Sequence, residues 1–285
     1  MVVHTRNSRP EELEIRANLV RQRIMMTLKE AGGGHVGGSL SAVDLLTAIY
    51  LGGILRVDPS NPRWEDRDRF ILSKGHASVA LCSVLAEVGF FPVELLNTFN
   101  KLDSPFAMHP NMHEIPGVDM STGALGHGLS VGVGMALAGR LLAKDYRVVV
   151  MLGDGEICEG SVWEAAMSAG HYHLDRLTAI VDRNGLSIDG PYQEVMNSEP
   201  LADKWRSFGW EVREIDGHSM PQIMDTLTHL PFAMGKPSAV IAHTVKGKGL
   251  SFAENRKLWH YQSIDQAMLD RALQELQAAL NTREA

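Results

Sequence analysis

The 285-residue chain is 45% hydrophobic and 21% charged, an ordinary globular balance that excludes a disordered or fibrous protein. Its 34 acidic residues against 27 basic ones leave a formal charge of -7, the wrong sign for a protein that neutralises nucleic-acid phosphates with Lys and Arg. It has no apolar run of about 18 residues to span a membrane and no secretory h-region at its N-terminus, so a cytoplasmic location is expected, with no nucleic-acid or membrane partner.

Residues 11–30 place Leu13, Leu19, Val20, Ile24 and Leu28 at helical spacing, with acidic residues in the first turn where the helix dipole favours them. An amphipathic helix is therefore predicted to open the chain. A glycine-rich loop over 31–40 follows, then a helix over 42–50 for which Ser39 or Ser41 offers a cap. Residues 69–73 are predicted to be a strand feeding a helix over 77–88. Three short runs, 147–152, 177–182 and 239–245, are β-branched and apolar on both faces, as parallel strands covered on two sides are. Helical patterns at 128–142, 161–171 and 220–230 separate them. Strand alternating with helix predicts a doubly wound α/β fold, a mostly parallel sheet with helices on both faces. Residues 191–200 are the expected mobile surface loop, and 263–280 a helix with Met268, Leu269, Leu273, Leu276 and Leu280 on one side. The polar end, 281–285, reads as a fraying tail. One domain is expected, a core over 11–262 with 263–285 as terminal helix and tail. Cys82 and Cys158 supply neither a disulfide framework nor a thiolate cage for zinc, whereas twelve histidines are an excess that needs a cause.

Gly153-Asp154-Gly155 closes one predicted strand, and Asn184, in Asp182-Arg183-Asn184-Gly185, closes the next one thirty residues later. Consecutive parallel strands joined by one crossover helix put their carboxyl ends on the same sheet edge, where ligands of open α/β sheets bind. Asp154 and Asn184 can thus converge on one cation. Their oxygens are hard donors suited to Mg²⁺ or Ca²⁺, and Mg²⁺ commonly keeps part of its coordination for phosphate oxygens. A lone Gly-Asp-Gly is as readily a tight turn; the second strand-end motif one crossover away favours the cation. Gly32 to Gly37 also fits a G-x-G-x-x-G dinucleotide fingerprint, but it follows a helix rather than a strand and so fails that fingerprint's structural condition.

Gly-Asp-Gly followed at this distance by Asn resembles the thiamine-diphosphate-binding motif. The stretches Gly34-His35-Val36-Gly37-Gly38, Leu72-Ser73-Lys74-Gly75-His76-Ala77 and His109-Pro110 extend the likeness, as do Pro116-Gly117-Val118-Asp119 and Thr122-Gly123-Ala124-Leu125-Gly126. With Trp259-His260 they stand in the order found in the N-terminal, diphosphate-binding half of transketolases, and the resemblance covers 13–261. It implies thiamine diphosphate and Mg²⁺ (or Ca²⁺) as cofactors, with Asp154, Asn184 and the carbonyl of Leu186 as metal ligands. Gly155, Glu156 and Asn184 would meet the cofactor's diphosphate end, together with His76 and His260. Gly123 and Leu125 would line the aminopyrimidine side and Ile188 would support the bent cofactor. His35 and His109 are implied as catalytic histidines of the substrate channel, and Glu159 as the acidic residue that couples two active sites across a subunit interface. A dianionic tail calls for a divalent cation and N–H donors, and proton movement near neutrality calls for His, which gives the histidine excess a cause. Where the family's full-length enzymes usually have Pro, Gln and Gly, this chain has Val36, His127 and Tyr261.

In transketolases the glutamate that activates the aminopyrimidine, and the groups that hold the substrate phosphate, lie in a second domain. The resemblance therefore implies the N-terminal subunit of a split transketolase, completed by a C-terminal subunit of roughly 300 residues in an α2β2 heterotetramer. Such an enzyme transfers a two-carbon glycolaldehyde (ketol) unit from a ketose phosphate to an aldose acceptor. The alternatives are a subunit of another thiamine-diphosphate enzyme, of dihydroxyacetone or deoxyxylulose-phosphate synthase type, and a non-catalytic cofactor-binding module. The last has no need of His35 and His109.

Overall fold

Helix α1 (Pro10–Glu30) opens the computed structural model, which describes residues 8–284; His4 and Ala285 lie outside the described residues. Pro10 stands where a helix needs no N–H donor, Glu11 and Glu12 face the positive end of the dipole, and Lys29 faces the negative end. Helix α2 (Val36–Leu51) starts well before the predicted 42–50, and neither Ser39 nor Ser41 caps it. Ser39 donates instead to the His35 carbonyl one turn back (2.6 Å), and Ser41 to Asp182 (2.7 Å). Packing overrides the loop-like composition, because residues 36–50 are all buried. A Cβ on Gly37 would stand 2.8 Å from Lys246 Cγ and 2.8 Å from the Trp259 carbonyl oxygen. Gly37 and Gly38 serve close approach within a helix, whereas Gly32, Gly33 and Gly34 stay in the loop before it.

Strand β1 (Arg69–Leu72) leads to α3 (Ser78–Val88), then α4 (Gly128–Leu141), β2 (Val148–Gly153), α5 (Gly160–His171) and β3 (Leu177–Arg183). Two short helices, α6 (Tyr192–Val195) and α7 (Leu201–Ser207), precede β4 (Glu211–Asp216), α8 (Met220–Thr228), β5 (Ser238–His243) and α9 (Gln266–Glu284). The sheet is parallel throughout, in the order β1-β2-β3-β5-β4. Side chains of β2 alternate between two cores. Val149 and Met151 join the one built with α1, α2, α3, α8 and α9, while Val148, Val150 and Leu152 join the one built with α4, α5 and α7. Helices on both faces are the expected doubly wound arrangement.

Differences from the predicted elements are local. Strand β4 is absent from the predicted set: it is an edge strand in which only Ile215 is fully buried, so Glu211-Val212-Arg213-Glu214 carries no apolar run. Strand β5 ends at His243 rather than 245: Thr244 N–H makes the last bond to β3, at the Arg183 carbonyl (3.1 Å), and Val245 N–H leaves the sheet for His218 Nε2 (2.8 Å). Helix α9 begins after 263 because Asp265 Oδ1 accepts Met268 N–H at 2.8 Å, an N-cap that sets its start. The stretch 191–200 contains α6 and buries Tyr192, whose hydroxyl donates to Glu199. Among the described residues no helix is long and apolar enough to cross a membrane.

Candidate active site

The carboxyl ends of four strands meet one open cavity of about 320 Å³. Strand β1 runs into Ser73-Lys74 and on to His76, β2 into Asp154, β3 into Asn184, and β5 through Thr244 to Lys246. Gly153 lies opposite Asp182 in the parallel register, so Asp154 and Asn184 do come together on this edge. Gly75 lets the first of these segments close on the 122–126 loop, since a Cβ there would stand 2.7 Å from Thr122 Oγ1 and 2.9 Å from Gly123 N.

One end of the cleft presents oxygen. Asp154 is 2% exposed; its Oδ1 accepts Gly155 N–H at 2.8 Å and its Oδ2 accepts Gly185 N–H at 2.5 Å. Asn184 Oδ1 accepts Leu186 N–H at 3.3 Å, and the Leu186 carbonyl accepts the Lys246 ammonium at 2.8 Å. A carboxylate with two backbone donors still has lone pairs to give, and an amide oxygen and a carbonyl complete a hard-donor set. No group of three or more His, Cys, Asp or Glu is disposed to hold a metal among the described residues. The set here contains one acid. Burial, with Asp182 behind it, pushes the Asp154 carboxyl up to about 6, so this charge is under-compensated and favours a cation.

Beneath this end, Lys74 and Asp182 form a buried ion pair. Lys74 also donates to the Gly38 carbonyl (2.7 Å), and Asp182 accepts from Ser41 and Thr244. Burial alone would raise the Asp182 pKa, but the Lys74 charge together with the hydrogen bonds from Lys74, Ser41 and Thr244 outweighs it and lowers it. Lys246 is pulled down to about 8, first by burial and then by Lys74. Neither lysine is among the residues expected from the motifs. Lys74 lies in view inside Ser-Lys-Gly-His, and a signal for Lys246 exists in Val-Lys-Gly-Lys-Gly, a cation among glycines just past a strand end.

The other end is a cluster of imidazoles. The His35 ring centroid lies 5.3 Å from that of His76, 5.4 Å from that of His260 and 6.2 Å from that of His109. His35 stands at the N-terminus of α2, and Tyr261 sets its ring edge-on against it at 5.1 Å. His35 Nδ1 and His260 Nδ1 are buried without a hydrogen-bond partner. Burial lowers His35 to about 4, helped by His109 and Lys246, and His260 to about 3, helped by Lys246 and His35. His76 is lowered well below its usual value, by burial and then by Lys74. At neutral pH His35, His76 and His260 are therefore neutral, each with one N–H and one bare nitrogen.

Between the ordinary value of 6.5 and these lowered values, the unfolded chain binds protons that the folded chain refuses. The two rings therefore cost no stability above pH 6.5, and the cost grows as pH falls toward 4. Calorimetric Tm should drop between about pH 7 and about pH 5, and drop less in the His35→Asn/His260→Asn double variant. An equal drop in the two proteins would show that other groups carry the effect.

The remaining expected site residues divide. Gly123, Leu125, Gly155, Glu156 and Ile188 border the cleft, with Leu125 and Ile188 exposed at its rim. Glu156 is 3% exposed and bonded throughout, accepting from Ser73, from Gly126 N–H (3.0 Å) and from Gly153 N–H (3.0 Å). It ties the 122–126 loop to the end of β2. Glu159, at the N-terminus of α5, is exposed and does not line the cavity. His127 is likewise exposed and outside it.

Residues 14–278 match the family described as transketolase, thiamine diphosphate binding domain. The chain is 44% identical over 266 residues to the 6-deoxy-6-sulfo-D-fructose transketolase subunit SqwG of Clostridium sp. (strain MSTE9), a match covering 93% of this chain and 96% of that one. It is 42% identical to an apulose-4-phosphate transketolase subunit of Phocaeicola vulgatus, over 96% of this chain and 97% of that one. A crystal structure of the Campylobacter jejuni transketolase superposes with a TM-score of 0.87 at 30% identity, over 93% of this chain. The chain belongs to the transketolase family. It spans nearly the full length of the two similar subunits but 42% of the Campylobacter transketolase chain, less than half of it.

Proposed function

We propose that this chain is the N-terminal subunit of a two-component, thiamine-diphosphate-dependent transketolase, moving a glycolaldehyde (ketol) unit from a ketose to an aldose acceptor in the cytoplasm. The observation that carries the proposal is one strand-end cleft with hard oxygen donors at one end and neutral, partner-poor imidazoles at the other. That donor set fits the cofactor. Asp154, Asn184 and the Leu186 carbonyl would hold Mg²⁺. Gly155, its N–H released from Asp154 Oδ1 when the cation binds, would face the diphosphate with His76, His260 and Lys246. Gly123, Leu125 and Ile188 would wall the organic part. The chemistry that thiamine diphosphate would supply here is a nucleophilic carbon and a sink for the electron pair freed when the ketose C–C bond breaks.

His35 and His109 would bind the ketose hydroxyls. A neutral ring nitrogen can take the proton that the C3 hydroxyl loses as C3 becomes an aldehyde carbon, and can return it to the acceptor in the second half of the reaction. The exposed rim, with Leu125, Ile188, Val195 and Met196, is an apolar border that a C-terminal partner would cover, and Glu159 lies outside the cleft where it could reach a neighbouring chain. An α2β2 assembly accommodates both contacts. The two similar subunits are named for a sulfonated ketose and a ketose phosphate, so an anionic ketose is the donor class proposed here.

Reconstitution tests this reading. The chain alone should transfer no ketol unit, and transfer should appear on mixing with a transketolase C-terminal subunit, thiamine diphosphate and Mg²⁺. Full transfer by the chain alone, or thiamine diphosphate binding by a reconstituted pair that transfers nothing, would overturn it; the second result describes a non-catalytic module.

A further inference from the structure

Outside the cleft, a chain of hydrogen bonds crosses the α1–α2 layer and ends on the segment that carries Lys246. Buried Arg21 of α1 donates to both oxygens of Asp44 on α2 (3.0 and 2.6 Å), and its Nε donates to the Lys248 carbonyl (3.1 Å). Asp44 Oδ2 also lies 2.6 Å from His218 Nδ1, and Val245 N–H donates to His218 Nε2 at 2.8 Å. A backbone N–H can only donate, so Nε2 is the acceptor and Nδ1 carries the proton toward Asp44. Burial alone would raise the Asp44 pKa, but the Arg21 guanidinium and the His218 bond outweigh it and hold the group well below the usual carboxylate range. Asp44 therefore stays charged and keeps this tautomer in place.

His218 is itself anchored just past the end of β4: its backbone N–H donates to Asp216 Oδ1 at 2.8 Å, and Gly217 N–H donates to the His243 carbonyl of β5 (2.8 Å). Val245 immediately precedes Lys246, and Gly247 N–H donates to the Gly37 carbonyl (3.0 Å), so the segment is held on both sides of that lysine. Lys246 has a long, flexible stem, and where its ammonium can reach depends on where its Cα is fixed. We propose that His218 is a positioning residue of the cleft: by accepting Val245 N–H it sets the path of 244–248 and aims the Lys246 ammonium at the bound diphosphate. The target of that ammonium rests on the reading of the cleft as a thiamine diphosphate site.

Three variants test it: His218→Leu removes both ring partners, His218→Gln keeps a donor for Asp44 and an acceptor for Val245, and Lys246→Met removes the ammonium alone. Amide exchange over 245–248 in the isolated chain should quicken in His218→Leu and return toward wild type in His218→Gln. In the reconstituted enzyme, His218→Leu should weaken thiamine diphosphate binding about tenfold, the scale of one lost orienting hydrogen bond, with kcat retained at saturation. Adding His218→Leu to Lys246→Met should cost less than His218→Leu costs in the wild-type background. Unchanged exchange, or fully additive losses, would overturn the proposal. Quickened exchange in a protein that binds no thiamine diphosphate would overturn the cofactor reading instead and leave the brace standing.

Discussion

Asp154→Asn is expected to lower Mg²⁺ affinity of the reconstituted enzyme by at least about 100-fold, and ketol transfer with it. The substitution keeps the size of the side chain but removes its charge and one of its two oxygens. Neither buried carboxylate nearby can substitute, because Asp182 is committed to Lys74 and Glu156 to Ser73 and two backbone N–H groups. Without the Asp154 charge, the Lys74–Asp182 pair is neutral overall and the Lys246 ammonium would stand unopposed against a divalent ion. The raised Asp154 pKa carries a second expectation. Folding disfavours the ionised group, which offsets the acceptor that Gly155 or Gly185 N–H loses, so the variant free of metal and cofactor should unfold close to the wild-type temperature. Titration calorimetry with Mg²⁺ in the presence of thiamine diphosphate checks the first point and thermal unfolding the second. Unchanged Mg²⁺ affinity would remove Asp154 from the metal site.

His109→Ala should reduce kcat by about 10² to 10³ while leaving thiamine diphosphate affinity unchanged, the range for loss of one positioned proton-transfer group. His109 suits this test because it is exposed, so its removal leaves no cavity in the core. Its ring borders the cleft beside His35 and against Gly123, away from the oxygen-rich end. His35→Ala would be harder to interpret, since His35 also begins α2. Steady-state kinetics beside a cofactor titration separates the outcomes. A loss of cofactor affinity equal to the loss in kcat would mean that His109 shapes the cleft rather than acting on the substrate.

Strands β2 and β3 are legible in the residues alone because both faces are covered, which forces continuous apolar runs, and each run ends where the chain turns to residues that line the cleft. Asp154 and Asn184 follow from those two ends and one crossover. Strand β4 is invisible for the opposite reason: an edge strand with one fully buried side chain has no such pattern. Helix α2 is partly hidden by glycines whose purpose, close approach to Lys246 and His76, exists only once distant segments meet.

Local periodicity and motifs a few residues long are thus enough for the parallel α/β class, the family, and the meeting of Asp154 and Asn184 at one strand-end edge. Only the folded chain reveals the buried Lys74–Asp182 pair, the entry of Lys246 into the cleft and the Arg21–Asp44–His218 brace. Each joins residues far apart in the chain, and the charges involved are tolerable in the interior only because packing brings their partners within hydrogen-bond reach.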